Sequence, residues 1–288
     1  MKQLKEFSTI MSNQSYKELG IPYFKEVFDC IDEVMKTLDV RYCLIGVNAI
    51  ALELLKQNIK PARGTKDIDF AVMVSSMEEY SQIVSELEKR GFRKVSAPWT
   101  FYSENYNVAI DLLPFGEIEE SDTIRFSDRH VDLHMLGFRE ILERAVEVQI
   151  EESIINIPPL PGMVLLKLIA WSDRPEDREN DLADILKILQ HYFDHSMDEI
   201  LEYHFDLLEN EPFDRMIIAA EVLGRKCRQY LERSRSVEER VLNVLRKELE
   251  ESSRSAIAME WARILDKDIE YAFSLLSSFL KGIIGVEI

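Results

Sequence analysis

The chain has 288 residues, 46% of them hydrophobic and 31% charged, with a formal net charge of −18. That length supports one large domain or two modest ones, and the acidic balance argues against a general basic surface, so stable bulk DNA binding is not expected. Lys167 interrupts the best apolar run and residues 1–6 lack a signal-peptide core, which predicts a cytoplasmic protein with no membrane partner.

From the N-terminal side, Phe24, Val27, Phe28, Ile31, Val34, Met35 and Leu38 recur at helical spacing and predict a helix over 22–38. Residues 42–45 read as a short buried strand and 48–57 as a second helix. After a loop with Pro61 and Gly64, residues 67–74 read as a strand. Ser75-Ser76 can cap a helix that reaches Lys89 and stops at Gly91. Strands are expected near 99–103 and over 108–114. Residues 117–132 read as an acidic connection, 138–145 as a short helix, and 146–157 as a hairpin turning at Glu151-Glu152. Pro158-Pro159-Leu160-Pro161-Gly162 is the strongest punctuation in the chain. Beyond it, helices are expected over 163–171, 177–192, 197–208, 212–232, 237–250 and 256–280. The expected class is α+β, with a mixed-sheet N-terminal domain over 1–158 and an all-helical C-terminal domain over 159–288. Cys30, Cys43 and Cys227 are too scattered for a disulfide framework and read as reduced thiols.

Asp67 and Asp69 are two apart on one predicted strand, so their carboxylates share a face about 7 Å apart while Ile68 and Phe70 take the other. Asp111, flanked by Ile110 and Leu112, supplies a third carboxylate from a later strand. Such acids repel one another and are costly to bury, and a hard divalent cation such as Mg²⁺ removes both penalties; the alternative is strand-end aspartates that face water. With two ions about 3.5–4 Å apart, Asp67 and Asp69 would hold the triphosphate-binding ion and Asp69 would bridge to the second. Asp111 would hold that second ion and orient, or act as base toward, an attacking hydroxyl. Gly46, at the first strand-to-helix turn, lets a phosphate approach the backbone and the helix N-terminus. Thr65 and Lys66 precede the pair within reach of phosphate oxygens.

Lys167, Trp171 and Arg174 fall at i, i+4 and i+7, along one helical stripe. Spacing alone favours core packing for Trp171 and solvent for both cations. Asp181 and Asp184, on the next helix, are expected to pair with Arg174 or Arg178. The concentration of Arg225, Lys226, Arg228, Arg233 and Arg235 reads as a solvated helix face and leaves room for an RNA end. His130 with His134, and His191 with His195, lack the Glu after the first His that a zinc-protease helix uses.

Four segments carry a resemblance. They are Thr65-Lys66-Asp67-Ile68-Asp69-Phe70-Ala71-Val72, Ile110-Asp111-Leu112-Leu113-Pro114-Phe115-Gly116, Leu166 to Arg174 with Asn180-Asp181-Leu182-Ala183-Asp184, and Ala220-Glu221-Val222-Leu223-Gly224-Arg225. In that order they resemble the nucleotidyltransferase superfamily related to DNA polymerase β. More closely they resemble the AbiEii-type nucleotidyltransferases, toxins of type IV toxin–antitoxin pairs. The resemblance implies an Mg²⁺-dependent, pyrophosphate-releasing enzyme that moves an NMP from an NTP such as ATP to an acceptor hydroxyl. It implies an RNA end (a tRNA end, for example) or a protein as acceptor, and a cognate antitoxin as partner. It makes Asp67, Asp69, Asp111 and Lys167 the catalytic set and the three aspartates the metal ligands. Gly46, Asn48, Thr65, Lys66, Trp171 and Arg174 become nucleotide contacts. Val47 stands where the family often has a small residue. The other readings are a nucleotide- or partner-binding module without turnover, and a nucleotidyltransferase acting on a small molecule.

Overall fold

The computed structural model describes residues 16–60, 67–95, 97–126, 131–209 and 211–285. A 3-10 turn leads into α1 (Phe24–Leu38), β1 (Tyr42–Leu44), α2 (Gly46–Leu55), β2 (Asp67–Met73), α3 (Met77–Lys89), β3 (Phe92–Lys94), β4 (Thr100–Ser103) and β5 (Val108–Phe115). Next come β6 (Thr123–Phe126), β7 (Val131–His134), α4 (Phe138–Leu142), β8 (Val146–Ile150) and β9 (Ser153–Ile157). The remainder is helical: α5 (Leu160–Asp173), α6 (Glu179–His195), α7 (Met197–Tyr203), α8 (Arg215–Leu231), α9 (Arg235–Glu248), α10 (Ala256–Leu265) and α11 (Ile269–Ile284). The class is α+β. Among the described residues no helix is long and apolar enough to cross a membrane.

The main sheet has the order β1-β2-β5-β4-β3. Its central pair, β2 and β5, is parallel, and every other neighbouring pair is antiparallel. Strand alternation sorts the side chains of β2 and β5 to two faces. Ile68, Phe70, Val72, Ile110 and Leu112 are buried beneath α1 and α3, where the Phe28 ring lies 6.5 Å from that of Phe70. The Tyr80 hydroxyl of α3 donates to the Leu112 carbonyl at 2.9 Å, which fixes that helix along β5. Ser76 caps α3 by accepting from the Glu79 N–H. The opposite face of the same two strands carries Asp67, Asp69 and Asp111 and looks toward the helices that follow. Both α2 and α5 are buried along most of their length, so they form the layer between the sheet and the outer helices.

Four expectations needed correction. Phe92–Lys94 adds an edge strand that three residues could not announce by alternation. Part of the acidic connection over 117–132 folds as the β6–β7 hairpin, with Phe126 held between Tyr80 and Trp99. Helix α5 begins at Leu160, with Pro161 in its first turn, where the missing N–H costs nothing. Gly162 belongs to that turn because Ile141 of α4 occupies the space a Cβ would take. The helix expected over 256–280 is two helices. Asp266 is left-handed at φ 53° and ends α10, and the Asp268 carboxylate caps α11 through the Tyr271 N–H at 2.8 Å.

Candidate functional site

The parallel register of β2 and β5 makes Asp69 and Asp111 direct neighbours on one face of the sheet. Gly46 opens α2 beside them with φ +68°, and a Cβ there would overlap the Asp69 carboxylate. Glycine is therefore required twice over, by its backbone conformation and by the closeness of the acid. The Ile45 N–H donates to the Asp69 carbonyl at 2.9 Å, which locks the turn to β2. Thr100 of β4 is the register partner of Asp111 on its other side, and its hydroxyl donates to Asp111 Oδ1 at 2.5 Å. Asp67 lies on the same face two residues earlier and is exposed. Asn48 is buried, and its amide donates to the Asp67 carbonyl at 3.1 Å. It braces the start of β2.

On the helical side, the Lys167 ammonium donates to Asp181 Oδ1 at 2.6 Å and to Asp184 Oδ2 at 2.8 Å. Arg178 Nη1 stands 3.5 Å from Asp181 Oδ2. The expected pairing with Arg174 or Arg178 is met in part, by Arg178 with Asp181, and Lys167 bonds both acids. The reason is geometric, since one turn of α6 puts Asp181 and Asp184 side by side against α5.

A cavity of about 170 Å³ separates the two clusters. Gly46, Asp69, Asp111, Lys167, Arg174, Arg178 and Asp181 line it, with Trp99, Phe138 and Leu166 among the apolar walls. Trp171 is 5% exposed and lies in the core rather than in the cavity lining. Because α5 is buried all round, its stripe does not define a single wet face. Thr65 and Lys66 lie outside the described residues, as does His130. Burial, then Asp111 and Asp67, push the Asp69 carboxyl up to about 7, against the opposing pull of Lys167 and Arg178. Burial also raises Asp111, and the Thr100 hydrogen bond works against it. Burial disfavours the Lys167 ammonium, but Asp184 and Asp181 outweigh it and hold the amine above its ordinary range.

Among the described residues, no three His, Cys, Asp or Glu side chains are gathered into a metal-holding group. The three aspartates share a face without closing into a cage. Their chemistry nevertheless fits a hard divalent cation. Asp69 and Asp111 present neighbouring carboxylate oxygens, and the burial and like-charge repulsion that raise Asp69 are both penalties that a dication relieves.

The basic concentration near the end of α8 is consumed by partners. Arg225 binds Asp206 and Glu221, Lys226 binds Glu199, and Arg228 donates to the Ile283 carbonyl. Arg233 binds Glu143 and Arg235 binds Glu239. Of the histidines, His134 meets Thr123 at 3.3 Å and His195 stands 3.8 Å from Glu53. Thr100 bonds Asp111, and Trp99 and Phe138 line the cavity, yet sequence reasoning singled out none of the three. Only the β4–β5 register reveals Thr100, and no spacing signal marks the two aromatic residues.

The family described as "Nucleotidyl transferase AbiEii toxin, Type IV TA system" matches residues 51–273. No curated protein matches. Among solved structures, an antigenic nucleotidyltransferase-like protein from Paracoccidioides brasiliensis is 15% identical, with 69% of this chain and 91% of that one covered at a TM-score of 0.40. The lincomycin-bound lincosamide antibiotic adenylyltransferase LnuA is 18% identical, covering 57% of this chain and 97% of that one at a TM-score of 0.38. The CdnE cyclic dinucleotide synthase of Elizabethkingia meningoseptica, solved with GTP and Apcpp, is 11% identical over 91% and 92%, at a TM-score of 0.29.

Proposed function

The chain belongs to the AbiEii nucleotidyltransferase toxin family of type IV toxin–antitoxin systems, and from that premise we propose that it is an Mg²⁺-dependent transferase. It moves an NMP from an NTP to the hydroxyl of an acceptor, an RNA end or a protein, and acts as the toxin of a pair with a cognate antitoxin. Residues 1–158 form the catalytic domain in this reading, and 159–288 form the helical domain that completes the cleft. The observation that carries the reading is Asp69 beside Asp111 under the Gly46 turn, facing Lys167 across one cavity.

Asp67, Asp69 and Asp111 would hold Mg²⁺, which neutralises the carboxylates and polarises the phosphate oxygens when bound. The Gly46 turn presents backbone N–H groups and the N-terminus of α2 to the triphosphate. Lys167, fixed by Asp181 and Asp184, and Arg174 at the rim add positive charge on the side opposite the aspartates. Asp111, oriented by Thr100, accepts the proton of the acceptor hydroxyl. The acceptor oxygen bonds to the α-phosphorus as the α–β bridge breaks, and pyrophosphate leaves.

The test is to incubate the protein with each α-labelled NTP, Mg²⁺ and cellular RNA or protein. Label is expected on one acceptor class, and it should vanish in Asp67→Asn and Asp69→Asn. Tight NTP binding with no transfer to any acceptor would overturn the enzyme in favour of a binding module.

A further inference from the structure

The cavity between the two clusters continues into a second one of about 440 Å³. The two share Trp99, Leu133, Phe138, Leu166, Arg174 and Arg178 in their walls. Two aromatic rings and aliphatic side chains beside two guanidinium groups suit a flat heterocycle attached to phosphate. Bases stack on aromatic faces, and guanidinium groups bind phosphate oxygens.

Trp99 is firmly placed. Its carbonyl accepts from the Leu112 N–H at 2.8 Å, and its ring centroid lies 5.6 Å from that of Phe126. The next residue, Thr100, holds Asp111. The indole is thus fixed beside the third carboxylate, on the route from the outer cavity to the inner one. Arg174 is exposed at the rim, and among the described residues its side chain has no hydrogen-bond or ion-pair partner.

We propose that the outer cavity is a nucleobase site, with Trp99 as its stacking platform, Phe138 as a further aromatic wall and Arg174 at the attached phosphate. The proposal rests on the nucleotidyl-transfer reading. The base is that of the incoming NTP or that of the acceptor's terminal nucleotide, and the experiment separates the two.

The chain has three tryptophans. Trp171 and Trp261 are 5% and 2% exposed, so ligand quenching of indole emission reports Trp99. The full-length protein with Mg²⁺ is titrated with inorganic tripolyphosphate, with non-hydrolysable analogues of the four NTPs, and with a short single-stranded oligoribonucleotide. Quenching is expected from base-bearing ligands and not from tripolyphosphate. Quenching by an analogue alone assigns the site to the NTP base. Quenching by the oligoribonucleotide, with analogue already saturating, assigns it to the acceptor.

Binding measured by calorimetry should weaken about 5- to 100-fold for base-bearing ligands in Trp99→Leu, and leave tripolyphosphate unchanged. Trp99→Phe, which keeps an aromatic face and the packing on Phe126, should retain most of the affinity. Phe138→Leu should weaken the same ligands by a smaller factor. Absent quenching by every base-bearing ligand, or unchanged affinity in Trp99→Leu and Phe138→Leu, overturns the site. If those results coincide with intact label transfer, the transferase reading stands and only the base site falls. Quenching and stacking without any transfer overturn the transferase reading alone.

Discussion

Two acid-bearing regions line opposite walls of one cavity, and they handle charge in opposite ways. On the helical wall, Asp181 and Asp184 are 6% and 7% exposed, and a lysine bonds both of them. On the sheet wall, Asp69 has Asp111 as its register partner and Asp67 two residues before it. The first cluster is compensated within the chain. In the second, burial and like charge together raise Asp69 to about 7. Both sets are carboxylates in the same cleft, so composition does not separate framework from ligand site. What separates Asp181 and Asp184 from Asp69 is the neighbour each meets: Lys167 bonds the first two directly, whereas Asp69 has Asp111 as its register partner.

Removing the cation from the compensated wall should have the largest consequence. Lys167→Met leaves Asp181 and Asp184 buried against an apolar side chain. Stability should fall by about 3–5 kcal/mol, read by urea unfolding at neutral pH. Adding Asp181→Asn and Asp184→Asn to that variant should recover a large part of the loss, because the stranded charges are gone. If Lys167→Met alone costs nothing measurable, the cluster is not the framework described above.

The sheet wall should respond with the opposite sign. Asp69→Asn is expected to lower label transfer by about 10²- to 10³-fold and yet to stabilise the metal-free protein. The folded carboxyl titrates at about 7 against an ordinary value of 3.8. The stability linked to this group is therefore fully present below the unfolded value and lost as pH rises through about 7. In EDTA at pH 8, Asp69→Asn should exceed the native protein by about 1–3 kcal/mol, and the gap should close toward pH 4. A variant that is less stable at pH 8 would contradict the account of Asp69 as an acid strained by its neighbours.

Much of this comparison was legible in the sequence, and the reasons for what was not are physical. Asp67, Asp69 and Asp111 stood out because each interrupts an apolar strand, and Gly46 because it ends one. The register that pairs Asp69 with Asp111 was hidden, since parallel strands separated by a helix and two further strands carry no turn that fixes their offset. Helical spacing alone favoured solvent for Lys167 and the core for Trp171, where Trp171 does lie; it was the resemblance that made Lys167 catalytic and Trp171 a nucleotide contact. A stripe has meaning only on a helix with one wet side, and α5 is covered all round. The β6–β7 hairpin escaped because its stability comes from distant partners, Phe126 packing on Tyr80 and Trp99, rather than from local alternation. The break at Asp266 was readable: Asp266-Lys267-Asp268 places a left-handed cap and an N-cap two residues apart, inside a periodicity that otherwise runs on.

The mildest change on the sheet wall alters a single hydrogen bond and no charge. Thr100 donates to Asp111 at 2.5 Å and favours its ionised form against the upward push of burial. Thr100→Val keeps the shape and removes that donor. Stability should change little at neutral pH, since an acid raised further by loss of the bond protonates more readily instead of straining the fold. Transfer should fall about tenfold in kcat/KM, the scale of one hydrogen bond to a charged group. The acidic limb of its pH profile should move to higher pH, because Asp111 now needs a higher pH to accept the acceptor's proton. A tenfold loss with an unmoved limb would mean that Thr100 only positions Asp111. An unmoved rate would mean that the Thr100 hydrogen bond contributes nothing to the chemistry of Asp111.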